Sequence, residues 1–416
     1  MKKRNIHLSV LAIASFFLQF LTFNCYSSTS VPAGNVSGTW TLAGSPYNIQ
    51  GHIQISDGTT LIIEPGVTVN FQGTYKLNVQ GRLLAVGTAT DTIVFTAANI
   101  TNGWRGIRFD NTPATNDSSK IVYCKLQYGK ANGSDPYNKG GALYFNNFSK
   151  VIILNCNISN CSAYQGGGIY CISSSPIISY NSIANNSSGY AGGIYCENSS
   201  PTISNNIISS NNANILDPGG GIYTQAGSPY IFNNIITNNT AFNGGGIYCT
   251  GGNQTIINNI ICNNTASATG GGISCENGSQ TIINNIVCNN TADGCGGGIS
   301  LGGSNSTTII LNSTFANNNA QRGGALSVYS SVPVFRNCVF YGNNASSSGP
   351  VVFLYDETST PNFFYCDVQG GTSAFDLNGN TYTGTYQNNI DIDPLFVSPS
   401  AGSGASFNGI INQSII

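Results

Sequence analysis

The sequence predicts an all-β parallel solenoid of about 26 residues per coil, and three observations carry that prediction. The segment TIINNIICNNTA at 255–266 returns at 281–292 as TIINNIVCNNTA, 26 residues on, with Val287 in place of Ile261. A glycine-rich mark followed by an aliphatic residue recurs along the chain. That residue falls at Leu143, Ile169, Ile194, Ile222, Ile247, Ile273, Ile299 and Leu326, with Val352 in GPVV as a degraded ninth. The short runs between turns, such as GGIYC and PTIS, alternate in the manner of strands and are bounded by Gly or Asn. One such unit cannot bury its apolar face alone. Stacked units can, each strand pairing with its copy in the next coil. At the spacing of paired strands, about 4.8 Å, nine coils make a rod of roughly 40 Å.

Composition agrees. Hydrophobic residues make up 40% of the chain and charged residues only 7%. Disordered segments show the reverse balance, so the 51 glycines and the many asparagines read as turn residues that tolerate positive φ. A net charge of −2 supplies no electrostatic drive toward nucleic acid or an anionic membrane.

In chain order, residues 1–27 read as an export signal: Lys2, Lys3 and Arg4 precede an apolar run over residues 8–23. Cleavage is expected near residues 25–30, which places the mature protein outside the cell or on its surface. An uncleaved anchor and a lipidated Cys25 are the alternatives; Asn24 stands where a lipoprotein signal wants a small residue. No later segment has the ~18 uninterrupted apolar residues of a membrane helix, so no membrane span is expected in the mature chain. Residues 28–100 are read as an N-terminal cap, at 31–52, with the first coils; 101–355 as the repeats; and 356–416 as the last coils and a second cap. Solenoid ends expose strand edges and must be covered. The abrupt stop at INQSII reads as an incomplete C-terminal part.

Constant offsets inside the repeat predict ladders. Ile169, Ile194, Ile222, Ile247, Ile273 and Ile299 form an inward aliphatic column. Two residues on, the same face carries Phe145, Cys171, Cys196, Thr224, Cys249, Cys275 and Leu301. Twelve residues after the mark fall Asn155, Asn181, Asn206, Asn234, Asn259 and Asn285, read as a structural ladder at a turn, where stacked amides hydrogen-bond along the stack. The 13 cysteines show no CxxC pair of a zinc site. Their recurrence at the 171/196/249/275 position, and at another for Cys262 and Cys288, reads as small apolar side chains filling core columns. Export also permits disulfides. Cys171 with Cys196, Cys288 with Cys295 and Cys156 with Cys161 are all candidates, and nothing in the sequence selects among them.

The glycine marks and the recurrent Ile and Asn spacing resemble right-handed parallel β-helix repeats. They are similar to the repeats in the passenger region of chlamydial polymorphic outer membrane proteins. Residues 47–96 resemble the opening coils of secreted bacterial β-helix proteins, and NNIDIDPLF at 388–396 resembles their closing segment. Together these cover most of residues 35–400. The resemblance implies a right-handed parallel β-helix at the cell surface. The polymorphic proteins also carry a C-terminal membrane barrel, and the sixty or so residues after the last coil are too few for one.

Many proteins of this appearance are polysaccharide lyases or glycosidases, which need carboxylates in pairs or clusters. Between residues 151 and 321 the charged residues are Glu197, Asp217, Glu276 and Asp293, with no Lys, Arg or His. Glu197 and Glu276 share a repeat position three coils apart, about 14 Å at strand spacing, beyond the ~10 Å limit of a catalytic pair. The flanks hold Arg105, Arg108 and Asp110, Asp356 and Glu357, Asp391 and Asp393, and the lone His52, each readable as a turn or cap charge. No catalytic residue, metal site or cofactor is therefore expected. The residue after the ladder Ile points outward if Ile points inward. It is Tyr144, Tyr170, Tyr195, Tyr223 and Tyr248 in five consecutive coils, then Ser274, Ser300 and Ser327. A row of exposed rings either stabilises the sheet by stacking, as cross-strand aromatic pairs do, or serves as a binding platform for a polysaccharide or a surface-protein partner. The functional expectation is a non-enzymatic, adhesin-like surface scaffold. A lyase or hydrolase with a site in the flanking turns is the alternative.

Overall fold

The structure is a computed structural model that describes residues 28–396 except 215 and 305. The export signal, Cys25 and the final residues from 397 lie outside the described residues. Every named strand pairs in parallel with its counterpart in the neighbouring coil. Three sheets of 14 strands run the length of the solenoid, and a fourth of nine strands joins them. A central coil shows the order. Ile169–Ile172 belongs to one sheet, called here the mark sheet, and Ile177–Ser179 to the second. Ser182–Ala184 belongs to the third, and Ser187–Tyr190 to the fourth, or lateral, sheet. The segment expected as a cap at 31–52 contains strands of the first coil and the opening strand, Tyr47–Ile49, of the second. Thr29–Val31, Gly34–Asn35 and Gly38–Trp40 already pair with the coil that follows.

Two of the corners are built from Asn-Asn dipeptides. The first Asn adopts the left-handed region that a short amide tolerates, as at Asn205, Asn233, Asn258 and Asn284, each with φ 55°. The second Asn turns inward and is buried. Asn206 is typical. Its Nδ2 donates to the Ile178 carbonyl at 2.9 Å and to Asn234 Oδ1 at 3.0 Å. Its Oδ1 accepts from the backbone N–H of Asn181 at 2.9 Å and from Asn181 Nδ2 at 3.0 Å. Corner backbone groups that the sheets leave unpaired are satisfied this way, coil after coil.

The ladder predicted at Asn181, Asn206, Asn234, Asn259 and Asn285 is present, and Ser313 continues it. Asn155 does not belong to it. Leu154 pairs with Ser179, so Asn155 occupies the positive-φ position (φ 52°) and Cys156 takes the ladder place, its N–H bonded to Asn181 Oδ1. That coil carries one more residue between mark and corner. A second ladder, not foreseen, runs through Asn186, Asn211, Asn239, Asn264, Asn290, Asn318 and Asn343 at the corner between the third and lateral sheets.

The corner before the mark sheet is glycine. A Cβ on Gly245 would lie 2.5 Å from the carbonyl oxygens of Gly271 and Thr265, so successive coils approach too closely for any side chain. Inside, the Ile column and the 145/171/196/224/249/275/301 column are buried in one continuous core. Cys262 and Cys288 are buried elsewhere, in a satellite cluster with Ala316 that packs against Phe396. The described cysteines are free thiols.

Candidate functional site: the outer face of the mark sheet

Strand register places one column along the outer face of the mark sheet. It runs Gln54, Asn78, Arg108, Tyr144, Tyr170, Tyr195, Tyr223, Tyr248, Ser274, Ser300, Ser327, Phe353 and Asp376. The five tyrosines do leave the main core, as alternation requires, but they are not exposed. Tyr170 is 0% and Tyr223 and Tyr248 are 7% accessible. The expectation of an open aromatic row is corrected here, for two physical reasons. The rings cover one another, with centroids 5.7 Å apart for Tyr144 and Tyr170 and 5.1 Å for Tyr170 and Tyr195. The end of the lateral sheet also leans over them, with Ala191 and Tyr190 completing a second, separate core.

Their hydroxyls are tethered as well. Tyr170 donates to Glu197, Tyr195 to Gln225, and Tyr248 bonds Glu276. Burial, and then the nearby carboxylate, drives the phenols of Tyr170 and Tyr248 well above their ordinary range. Burial first, then Asp110, puts Tyr144 at about 12. The two glutamates the sequence singled out thus serve as acceptors for the stack. Glu197 and Glu276 are separated by three register steps, through Gln225 and Thr250.

The other flank candidates have similar work. Arg108 is buried, with its two Nη atoms donating to the carbonyls of Lys139 (3.0 Å) and Pro136 (2.8 Å). Its guanidinium lies 3.8 Å from the Tyr144 ring centroid. Asp110 accepts from Asn146 at 2.8 Å. Asp356 holds a turn through Ser330, Thr358 and Ser359. Asp391 and Asp393 are exposed, Asp393 accepting from the Leu395 N–H at 2.9 Å. Among the described residues no three of His, Cys, Asp and Glu converge as metal ligands would.

Where the column changes from Tyr to Ser, a groove of about 450 Å³ opens. Ser300 and Ser327 form its floor, with Ser327 Oγ donating to Ser300 Oγ at 2.9 Å. Glu276 and Asn277 lie toward the tyrosine stack, and Thr269 and Cys295 of the lateral sheet form one wall. Phe353, under the Arg322 guanidinium at 5.2 Å, closes the far end. Tyr329 and Tyr355 stand on the rim, 53% and 56% exposed, edge to face at 5.2 Å. Burial pushes the Cys295 thiol up, opposed by Arg322 and reinforced by Asp376, so it stays protonated at neutral pH. The arrangement offers hydroxyls, one carboxylate and two open ring faces. Among its described lining residues Glu276 is the one carboxylate, and the Cys295 thiol is protonated. The Tyr-to-Ser change was visible in the sequence; the exposed rim rings at 329 and 355 were missed, because they sit outside the repeated mark.

Comparison with known proteins fits this architecture. Residues 84–266 match the family described as "Right handed beta helix region". A curated relative, Protein bark beetle of Drosophila melanogaster, is 41% identical over 61 residues, 15% of this chain. The chain spans only 2% of that protein's length. Among solved structures, a mutant of the periplasmic alginate epimerase AlgG aligns over 76% of this chain and 77% of its own, at 15% identity and a TM-score of 0.41. The A-module of the Azotobacter vinelandii mannuronan C-5 epimerase AlgE4 aligns over 92% of both chains, at 10% identity and a TM-score of 0.32. Scores this low carry no residue role or activity across. Register, corners and the family match together make this chain a right-handed parallel β-helix repeat protein.

Proposed function

We propose that this protein is an exported, adhesin-like surface scaffold that holds a polysaccharide chain in the serine groove without transforming it. One observation carries the reading: a concavity with a hydroxyl floor beside two exposed tyrosine rings, Tyr329 and Tyr355. Sugar rings present C–H faces that stack on aromatics and hydroxyls that bond to Ser, Thr and Asn. In this reading the tyrosines from 144 to 248 position the floor, and the ligand contact moves to the rim. Glu276, the one carboxylate among the described lining residues, is already bonded to Tyr248, which supports a holding role for it, whereas hydrolysis or elimination requires partnered groups. The resemblance of the repeats to chlamydial passenger regions supports the surface placement.

The test is a polysaccharide array and pull-down with the exported form, with Tyr329→Ala/Tyr355→Ala and with Ser300→Tyr, which refills the groove. Saturable binding lost in both variants, without release of reducing or unsaturated sugar, is the expected result. Sugar release by the unaltered protein would overturn the non-enzymatic reading. Binding that survives both variants would remove the groove from it.

A further inference from the structure

At the N-terminal end of the same face, His52, Lys76 and Arg105 stand at the corner before the mark sheet, among the glycines Gly51 and Gly106. Ile53 pairs with Leu77 and Leu77 with Ile107, so His52 and Lys76 lie side by side on successive coils and Arg105, one residue before the register partner Gly106, follows on the third. The Arg105 N–H donates to the Tyr75 carbonyl at 2.7 Å, which sets Arg105 against the residue preceding Lys76. The Lys76 N–H donates to His52 Nδ1 at 3.2 Å, which leaves Nε2 of the neutral imidazole as the proton-bearing nitrogen. The Lys76 ammonium lies 4.5 Å from the Tyr137 ring centroid. The lateral sheet begins only at Lys130–Ala131, so no lateral strand walls these first coils.

Among the described residues no ion pair involves this cluster. The ion pairs of the described residues join Arg82 to Asp117 and Lys139 to Asp135. Two carboxylates of these first coils are engaged by amides, Asp57 by Asn116 and Asp110 by Asn111 and Asn146. Arg105 Nε is buried with no hydrogen-bond partner. A buried guanidinium N–H left unmade is costly, and two uncompensated cations beside an imidazole repel one another. Next to them is a concavity of about 280 Å³ that includes Asn35, His52, Gln54, Lys76 and Asn78. The His52 imidazole is held below its ordinary value by burial first, then by Lys76 and Arg105, as expected where positive charge is unopposed.

We propose that His52 and Lys76, with Arg105 on the next coil, form an oxyanion-binding site: a sulfate, phosphate or carboxylate group seats in the concavity that His52 and Lys76 line, bonded by the Lys76 ammonium and His52 Nε2–H, and the Arg105 guanidinium reaches it from beside the lining. Planar guanidinium suits a two-oxygen anion and ammonium adds a point charge. The inference goes beyond the glycan reading, since an inorganic anion satisfies the same donors as a uronate on a sugar chain.

His52 and His7 are the two histidines of the sequence, so a chain lacking residues 1–27 reports His52 alone by imidazole NMR. The probes are inorganic sulfate, inorganic phosphate and an oligogalacturonate, each titrated at constant ionic strength. The expected result is a saturable shift of the His52 resonances and an upward move of its titration midpoint. Lys76→Gln/Arg105→Gln should weaken binding by about tenfold or more, and Arg105→Lys by less. Response to the inorganic anions marks a free-anion site, and response to the oligomer alone marks an acidic chain as the source. No saturable shift with any probe, or one unchanged in the double variant whose urea midpoint matches the parent, would overturn the proposal. Tyr329→Ala/Tyr355→Ala should leave the His52 response intact, so the two readings fail separately.

Discussion

The two asparagines of one corner make opposite demands, and replacing each with glycine separates them. Asn206→Gly deletes the four side-chain hydrogen bonds of a residue that is 1% accessible. Two of the partners keep an alternative. Asn181 Nδ2 still reaches the Ile153 carbonyl at 3.0 Å, and Asn234 Oδ1 still accepts the residue-206 N–H at 2.9 Å. The Asn181 N–H loses its acceptor, and the Ile178 carbonyl loses this donor. At about 1–3 kcal/mol for each of the two buried groups left unmade, the loss is about 2–6 kcal/mol. Asn205→Gly next door keeps a φ of 55° that glycine adopts freely, so it should stay within about 0.5 kcal/mol of the parent. Urea unfolding followed by the fluorescence of buried Trp104 reads both differences from the midpoints. Asn206→Asp adds a sign check. A carboxylate there faces the Ile178 carbonyl and Asn234 Oδ1 and is desolvated, so its folded pKa rises above the unfolded ~3.9. The folded state then binds more protons, and the variant should lose stability as pH rises through that interval and recover it on acidification. Equal midpoints for the two glycine variants would refute the claim that the ladder, rather than the turn conformation, carries the corner.

Other consequences follow from the same geometry. Gly245→Ala should destabilise by about 2–3 kcal/mol because its Cβ meets two carbonyl oxygens at 2.5 Å, whereas Gly302→Ala, whose Cβ finds its nearest neighbour 3.7 Å away, should be close to neutral in the same urea assay. Tyr144 and Tyr223, both pushed by burial to about 12, should stay un-ionised by 295 nm absorbance well past the ordinary phenol value near ~10. Their folded pKa is raised, so that share of stability is present below ~10 and is lost as pH climbs toward 12, where ionisation and unfolding should coincide. In a Cys25→Ser chain a thiol reagent should label Cys295 ahead of the other cysteines, since it alone of the described thiols is not buried; uniform labelling would contradict the packing of the cysteine columns.

Much of the fold was legible because a repeat makes register a property of the sequence. Once Ile169 and Ile194 are known to stack, every residue between them has an assigned neighbour, and the Ile, Cys and first Asn columns follow. The errors came where that rule breaks or falls silent. Asn155 was assigned by counting from the mark, but its coil carries one more residue before the corner, and Cys156 takes the ladder place. The second Asn ladder was equally periodic, through Asn186, Asn211 and Asn239, yet only one of each pair's two corners was followed. The tyrosines were correctly turned away from the core and wrongly left in solvent. Alternation gives a side chain its direction and says nothing of what lies beyond it, and here the lateral sheet brings Tyr190 and Ala191 over the rings.

That distinction also explains why the groove is where it is. A solenoid that repeats perfectly has a uniform outer face, and a cavity requires one column to lose volume while its neighbours keep theirs. Along the mark sheet the core columns continue unchanged past Tyr248, through Ile273, Ile299 and Leu326, so the coils stay stacked at the same spacing. Only the outward column shrinks, from five phenol rings to Ser274, Ser300 and Ser327, before Phe353 fills it again. The lateral sheet is still present over those coils, through Thr291–Cys295 and Asn319–Arg322, so the lost ring volume becomes enclosed space instead of a flat surface. The cationic corner at His52, Lys76 and Arg105 is the complementary case, for there the column is intact and the lateral sheet has not begun. Both sites are departures from an otherwise regular repeat, which is where a fold stabilised by regularity has freedom to place chemistry.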